Sequence, residues 1–238
     1  MDAIILAGGF GTRLQSVVSD VPKPMAPVAN KPFLSYLLTY LGKYEINNVV
    51  LCTGYKHEVI ENYFSTTYNT LNIKYSVENE PLGTGGAIKK ALEIIDSDNV
   101  LILNGDTLFN INLNEFIEFH HTEKSDITIA LKHLINFDRY GSVIFENNKI
   151  TGFDEKMYKD SGFINGGVYL INKKLFNRYN LSKTFSFEKE ILETKINELS
   201  ISGYKASAYF IDIGIPEDYE KAQTEVKELF DEKSIILR

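Results

Sequence analysis

The 238-residue chain has no tryptophan, one cysteine and six prolines, and it has no excess of basic charge, its formal net charge being −7. A single thiol excludes an internal disulfide, and Cys52, set inside an apolar strand pattern, is expected to be an inert core thiol. The acidic balance excludes a general nucleic-acid binder, because no basic field is available to neutralise phosphates. No signal, transmembrane or lipidation pattern is found, so the expected compartment is the cytoplasm, with no membrane partner. His57, His120, His121 and His133 lack ligand spacing. Two common nucleotide signatures are also missing. Gly9-Phe10-Gly11 is followed by Leu14 where the dinucleotide fingerprint needs a third small residue, and the second strand runs into Thr53-Gly54 instead of an acid. No Walker-type glycine-lysine-serine loop occurs.

What is present begins at the amino terminus. A short apolar strand runs into Leu6-Ala7-Gly8-Gly9-Phe10-Gly11-Thr12-Arg13-Leu14, and Pro22-Lys23-Pro24 follows. Glycines let the backbone approach a ligand closely, and successive N–H groups in such a loop form a concave anion site. Arg13 adds a planar fork that matches phosphate oxygens, and Lys23 adds a point charge on a backbone stiffened by proline. Glycines after a first strand also serve plain turns, so the cations decide for a polyphosphate nest.

Strand and helix patterns alternate through the first half: strands at 4–7, 48–53, 73–77 and 100–103, helices near 33–44, 57–64, 84–95 and 113–121. Alternation of this kind implies a parallel sheet covered by helices, with the ligand at the carboxyl ends of the strands. The glycine nest, Thr53-Gly54, the 78–86 segment and Asn104-Gly105-Asp106 all fall at such ends. The second half reads as mixed or antiparallel strands at 127–132, 142–145, 149–153, 166–171 and 206–211, with helices at 173–179, 187–195 and 216–230. No repeat or linker interrupts it, and one domain over 1–238 is expected, with no room for an appended domain after Asp212.

Asp106 and Asp212 each close an apolar run, and two acids on two strand ends suit the few protein ligands Mg²⁺ takes. An acid in the place of Asp106 is as often a helix cap, with Asn112 and Asn114 marking a helix start nearby. Glu78 opens Glu78-Asn79-Glu80-Pro81-Leu82-Gly83-Thr84. A carboxylate only accepts hydrogen bonds, so it pairs with the adjacent N1–H and N2–H of guanine and repels the N1 acceptor of adenine. Taken alone, such a Glu is more often a surface acid.

The nest with Pro22-Lys23-Pro24-Met25, the Gly105-Asp106 turn and Asp212-Ile213-Gly214-Ile215-Pro216-Glu217-Asp218-Tyr219 together resemble the sugar-1-phosphate nucleotidyltransferases, in order and over most of the chain. The resemblance implies a Rossmann-like α/β nucleotide-diphospho-sugar transferase fold, a central mixed, mostly parallel sheet flanked by helices. It assigns 1–125 to the nucleotide and 126–238 to the sugar phosphate. It implies Mg²⁺ on Asp106 and Asp212, and catalysis by Arg13, Lys23, Asp106, Lys156 and Asp212. Leu6, Ala7, Gly8, Gly9, Gly11, Thr12, Arg13, Lys23, Glu78, Gly83 and Asp106 would bind nucleotide. Asn104, Tyr140, Gly141, Glu155, Lys156, Asn165 and Gly166 would bind sugar phosphate. Met157 stands where the family's Glu-Lys pair is usually followed by proline. The Glu-x-Glu-Pro-Leu-Gly-Thr pattern is similar to guanylyltransferases for heptose- and mannose-type sugars, the heptose kind most of all. The implied partners are GTP and a sugar 1-phosphate. Thymidylyl- or uridylyltransferases and a non-catalytic nucleotide-sugar sensor are the alternatives. The oligomeric state, a homo-oligomer included, is left open.

Overall fold

A computed structural model describes residues 1–9, Leu14, Val18 and 20–231. Its elements are β1 (Asp2–Leu6), β2 (Pro27–Val28), β3 (Lys31–Pro32), α1 (Phe33–Leu41), β4 (Asn48–Thr53), α2 (His57–Phe64), β5 (Thr67–Tyr68), β6 (Leu71–Val77) and α3 (Gly83–Ala91). They continue with β7 (Asn99–Asn104), β8 (Thr107–Phe109), α4 (Leu113–Glu123), β9 (Ile127–Phe137), β10 (Val143–Glu146), β11 (Lys149–Phe153), β12 (Lys159–Asn172), β13 (Ile201–Ala206), β14 (Phe210–Asp212) and α5 (Pro216–Phe230).

One ten-stranded sheet, in the order β10-β11-β13-β9-β12-β7-β1-β4-β6-β5, includes strands from both halves of the chain. Most of its strands run in one direction; β5, β11 and β12 oppose them. The block β7-β1-β4-β6 is purely parallel, and β7, β1 and β4 are apolar runs buried on both faces, as covered parallel strands are. Period-two alternation then splits each run between two cores. Ala3, Ile5, Val49, Leu51, Leu101 and Leu103 pack on the face covered by α1, α4 and α5. Ile4, Val50, Cys52, Val100 and Ile102 pack on the face covered by α3 and a helical turn at Phe187–Glu193. Cys52 is fully buried, and that burial pushes its thiol far up, as an inert core thiol requires.

Three sequence expectations change. The helix over 33–44 stops at Leu41, where the chain turns through Gly42. The segment 173–179 is only a 3₁₀ turn, Leu175–Arg178. The strand over 206–211 does not exist as one piece: β13 ends at Ala206 beside β9, and β14 starts at Phe210 in a separate ribbon with β8. The Asn110 N–H donates to the Tyr209 carbonyl at 2.9 Å, pulling the chain out of the main sheet. The helix start near Asp106 is capped by Asn112, whose side chain accepts from Asn114 and Glu115 N–H, so Asp106 is not the cap.

Candidate active site

The parallel strands β1, β4, β6 and β7 end side by side, and their carboxyl ends border a cavity of about 530 Å³. Leu6, Gly8 and Gly9 form one wall, Gly54 and Glu78 another, and Gly83 and Thr84 at the start of α3 a third. Ala7 is buried and its N–H is spent on the Cys52 carbonyl at 2.8 Å, so that amide faces the sheet. Gly11, Thr12 and Arg13 lie outside the described residues.

Glu78 is half-buried, and desolvation raises its carboxyl above the ordinary range, opposed by the Leu82 N–H and by Lys90. The Leu82 N–H donates to Oε2 at 3.1 Å. The glycines after it answer to packing. Gly85 and Gly86 N–H both donate to the Phe185 carbonyl, and a Cβ on Gly85 would stand 2.2 Å from the Phe185 ring. Gly83, at φ +70°, opens the helix against the same residue.

A second cavity, of about 680 Å³, is gathered from distant segments: Tyr140 and Gly141, the 153–156 loop, Asn165 and Gly167, the turn at Phe187–Glu193, and Asp212. Glu155 and Lys156 line it from an exposed loop. Asn165 lies where the β12 register shifts against β9; its Oδ1 accepts from Gly167 N–H at 3.0 Å and its Nδ2 donates to Tyr169 Oη at 2.9 Å. Its amide therefore shapes the bulge as well as the wall. Gly166 faces the Phe109 ring, whereas Gly167 lines the cavity.

Asn104, Asp106 and Glu188 belong to both cavities. Gly105 is needed between the first two, because its N–H donates to the Leu6 carbonyl at 2.9 Å and a Cβ there would be 2.5 Å from that oxygen. The β8–β14 ribbon sets Asp212 opposite Thr107, and the Ile213 N–H donates to the Asp106 carbonyl at 3.0 Å, so the two acids converge. Lys23 Nζ lies between them, 2.5 Å from Asp106 Oδ2 and 3.7 Å from Asp212 Oδ1, with its side chain only 10% exposed. A cation held against two carboxylates, one of which stands at the junction of the two cavities, is equipped to neutralise phosphate charge.

Two residues here carry no local sequence signal. Arg139 donates to Asp218 Oδ2 at 2.6 Å; burial is the largest influence and works against its charge, but that hydrogen bond together with the nearby Tyr140, Asp218 and Asp212 outweighs it and raises the guanidinium further. Its neighbour Tyr140 lies 3.5 Å from Asp212 Oδ2, and burial, then Asp212, push the phenol well above its usual range. Glu188 is the other. Its link to Thr84, 104 residues away, comes only with the fold.

The chain matches the nucleotidyl transferase family over residues 2–228. It is 53% identical over 227 residues to a D-glycero-alpha-D-manno-heptose 1-phosphate guanylyltransferase of Aneurinibacillus thermoaerophilus, covering 95% of this chain and 99% of the relative. A protein of the same name from Campylobacter jejuni is 47% identical over 220 residues, with 92% and 97% covered. Among solved structures, HddC from Yersinia pseudotuberculosis superposes with a TM-score of 0.85 at 38% identity, over 95% of this chain and 99% of that one. Its complex with GMP-PN gives a TM-score of 0.84.

Proposed function

Because the chain belongs to the nucleotidyl transferase family, we propose that it is a sugar-1-phosphate guanylyltransferase: GTP and D-glycero-alpha-D-manno-heptose 1-phosphate give the GDP-sugar and pyrophosphate. The observation that carries this reading is the meeting of two cavities at Asp106, with Lys23 Nζ 2.5 Å away. One cavity suits a nucleotide, the other a sugar phosphate, and the bond to be made lies between them. The GMP-PN bound to HddC, a protein of similar fold, supports the nucleotide side.

A sugar phosphate oxygen attacks the α-phosphorus in line, and the bond to the departing pyrophosphate breaks, without a covalent enzyme intermediate. Catalysis then consists of positioning and charge neutralisation. Lys23, held against Asp106 beside the junction, transfers its charge from the carboxylates to the reacting phosphates. Lys156, on the sugar side, aligns the nucleophile, and Glu155 accepts sugar hydroxyls. Arg13 and the glycine nest hold the leaving pyrophosphate. Glu78 accepts the guanine N1–H and N2–H pair, which its desolvated carboxylate needs.

Asp106 and Asp212 form a hard-oxygen pair that fits Mg²⁺, which takes one or two carboxylates and completes its shell with water and phosphate. Among the described residues no group of three or more His, Cys, Asp or Glu forms a larger metal cluster. Bound there, the ion would act as a Lewis acid toward the phosphate oxygens. No helix among the described residues is long and apolar enough to cross a membrane. The product would feed a bacterial surface polysaccharide from the cytoplasm.

The test is a pyrophosphate-release screen crossing GTP, ATP, UTP and dTTP with heptose, mannose and glucose 1-phosphates. GTP with the heptose is expected to lead, and chelation of Mg²⁺ to stop it. Equal turnover of UTP or dTTP would remove the guanine assignment. Glu78→Gln should reduce GTP preference by about 1–3 kcal/mol, the scale of one unsatisfied polar pairing.

A further inference from the structure

We infer that Glu188 reads the hydroxyl beside the anomeric carbon of the sugar 1-phosphate, and so acts as a specificity-determining residue at the cavity junction. The inference rests on the reading of the two cavities given above. Glu188 is the second residue of the turn Phe187–Glu193 and is half-buried on the wall the cavities share. Two hydroxyls fix its orientation through a single oxygen: Thr84 Oγ1 donates to Oε2 at 2.5 Å and Ser186 Oγ at 2.9 Å. Both hydroxyls are themselves oriented. Thr84 Oγ1 accepts from Phe187 N–H at 2.9 Å, and Ser186 Oγ accepts from Lys189 N–H at 3.2 Å. Their hydrogens are thus committed to the carboxylate, and its rotamer is set before any substrate arrives. No hydrogen bond to Oε1 is found among the described residues.

An ionised carboxylate accepts hydrogen bonds and repels phosphate, so the group it meets is a hydroxyl. Glu188 shares the junction wall with Asp106, and on the reading above that places it beside the transferred phosphorus, where it would meet a hydroxyl close to that centre. Two sources of such a hydroxyl exist, the ribose and the sugar. Leu192 and Glu193 of the same turn, with Asn165 and Tyr169 across from it, line the sugar cavity and not the nucleotide cavity, which favours the sugar. Glu188 also acts on Tyr169, whose phenol burial first, and this carboxylate second, hold far above its usual range.

The experiment is calorimetric binding, which needs no turnover, in the presence of a non-hydrolysable GTP analogue. Heptose 1-phosphate is compared with its 2-deoxy counterpart, and separately GTP with 2′-deoxy-GTP, in the wild type and in Glu188→Gln. The variant keeps an acceptor toward Thr84 and Ser186 and replaces the Oε1 acceptor by a donor. The wild type should prefer the 2-hydroxyl sugar by about ten- to a hundredfold, the range for a hydrogen bond to a charged group, and E188Q should lose that preference. The nucleotide ratio should not move. Thr84→Val, which leaves Glu188 in place but removes one hydroxyl that orients it, should lose part of the same ratio and covers the case of a poorly folded E188Q. An unchanged sugar ratio in both variants overturns the role, as does a loss in the nucleotide ratio instead. A wild type that binds no sugar 1-phosphate overturns the cavity reading itself, and Glu188 with it.

Discussion

The two cavities are built from different materials. The nucleotide cavity is built of strand ends, glycines and the start of α3, contributed, Glu188 apart, by four loops that follow one another along the chain. The sugar cavity is mainly charged and hydroxyl-bearing side chains, brought together from segments as far apart as Asn104 and Asp218. The first therefore fails when a Cβ is added, and the second when a side chain is shortened. Only the junction fails both ways.

The largest effect is expected at that junction. Lys23→Ala removes the cation that faces both acids and should lower turnover at least about a hundredfold, the scale of losing a preorganised charge partner. Near-normal pyrophosphate release would end the comparison, since the cavities would then share no working centre. Next is Gly85→Ala, whose methyl would lie 2.2 Å from the Phe185 ring. Overpacking of this kind costs about 1–3 kcal/mol. It should raise the KM for GTP while leaving the KM for the sugar phosphate alone, and equal changes in both would show that the walls are not independent. On the other side, Arg139→Leu unties the turn before Tyr140 from α5 and should raise only the sugar-phosphate KM, by roughly tenfold, as for one lost charged hydrogen bond.

The smallest effect lies away from both cavities. His120, on α4 against Thr128, is buried and held neutral; burial first, then His121, lower its pKa to about 4. The unfolded chain takes up this proton near pH 6.5 and the fold refuses it until about pH 4, so stability falls as pH drops through that interval. Melting temperature should decline between these values and decline less in His120→Gln. A shift in either KM from that substitution would tie α4 to the site.

The same contrast explains what the sequence made legible. Gly8, Glu78, Asn104 and Asp106 each lie at or just past the end of a strand run, and a local pattern suffices to place them at the sheet's carboxyl edge. Asp212 was also legible, through the run that follows it, but the ribbon that brings it to Asp106 was not. That ribbon depends on β14 leaving the main sheet, and a continuous strand over 206–211 was the simpler reading. β13 was hidden because its run, Ile201-Ser202-Gly203-Tyr204, carries few apolar residues and a central glycine. Arg139 and Glu188 are ordinary charged residues in polar stretches. Their place at the site comes from contacts 79 and 104 residues away, to Asp218 and Thr84, which no window along the chain can register.

β12 runs between β7 and β9, and Tyr169 pairs with Ile102 on one side and Ile129 on the other. A ladder stitched through this strand offers no crease along which the two halves could fold like the covers of a book. Whatever adjustment substrate arrival demands is thus left to exposed rim segments such as 154–158, over a floor that stays put.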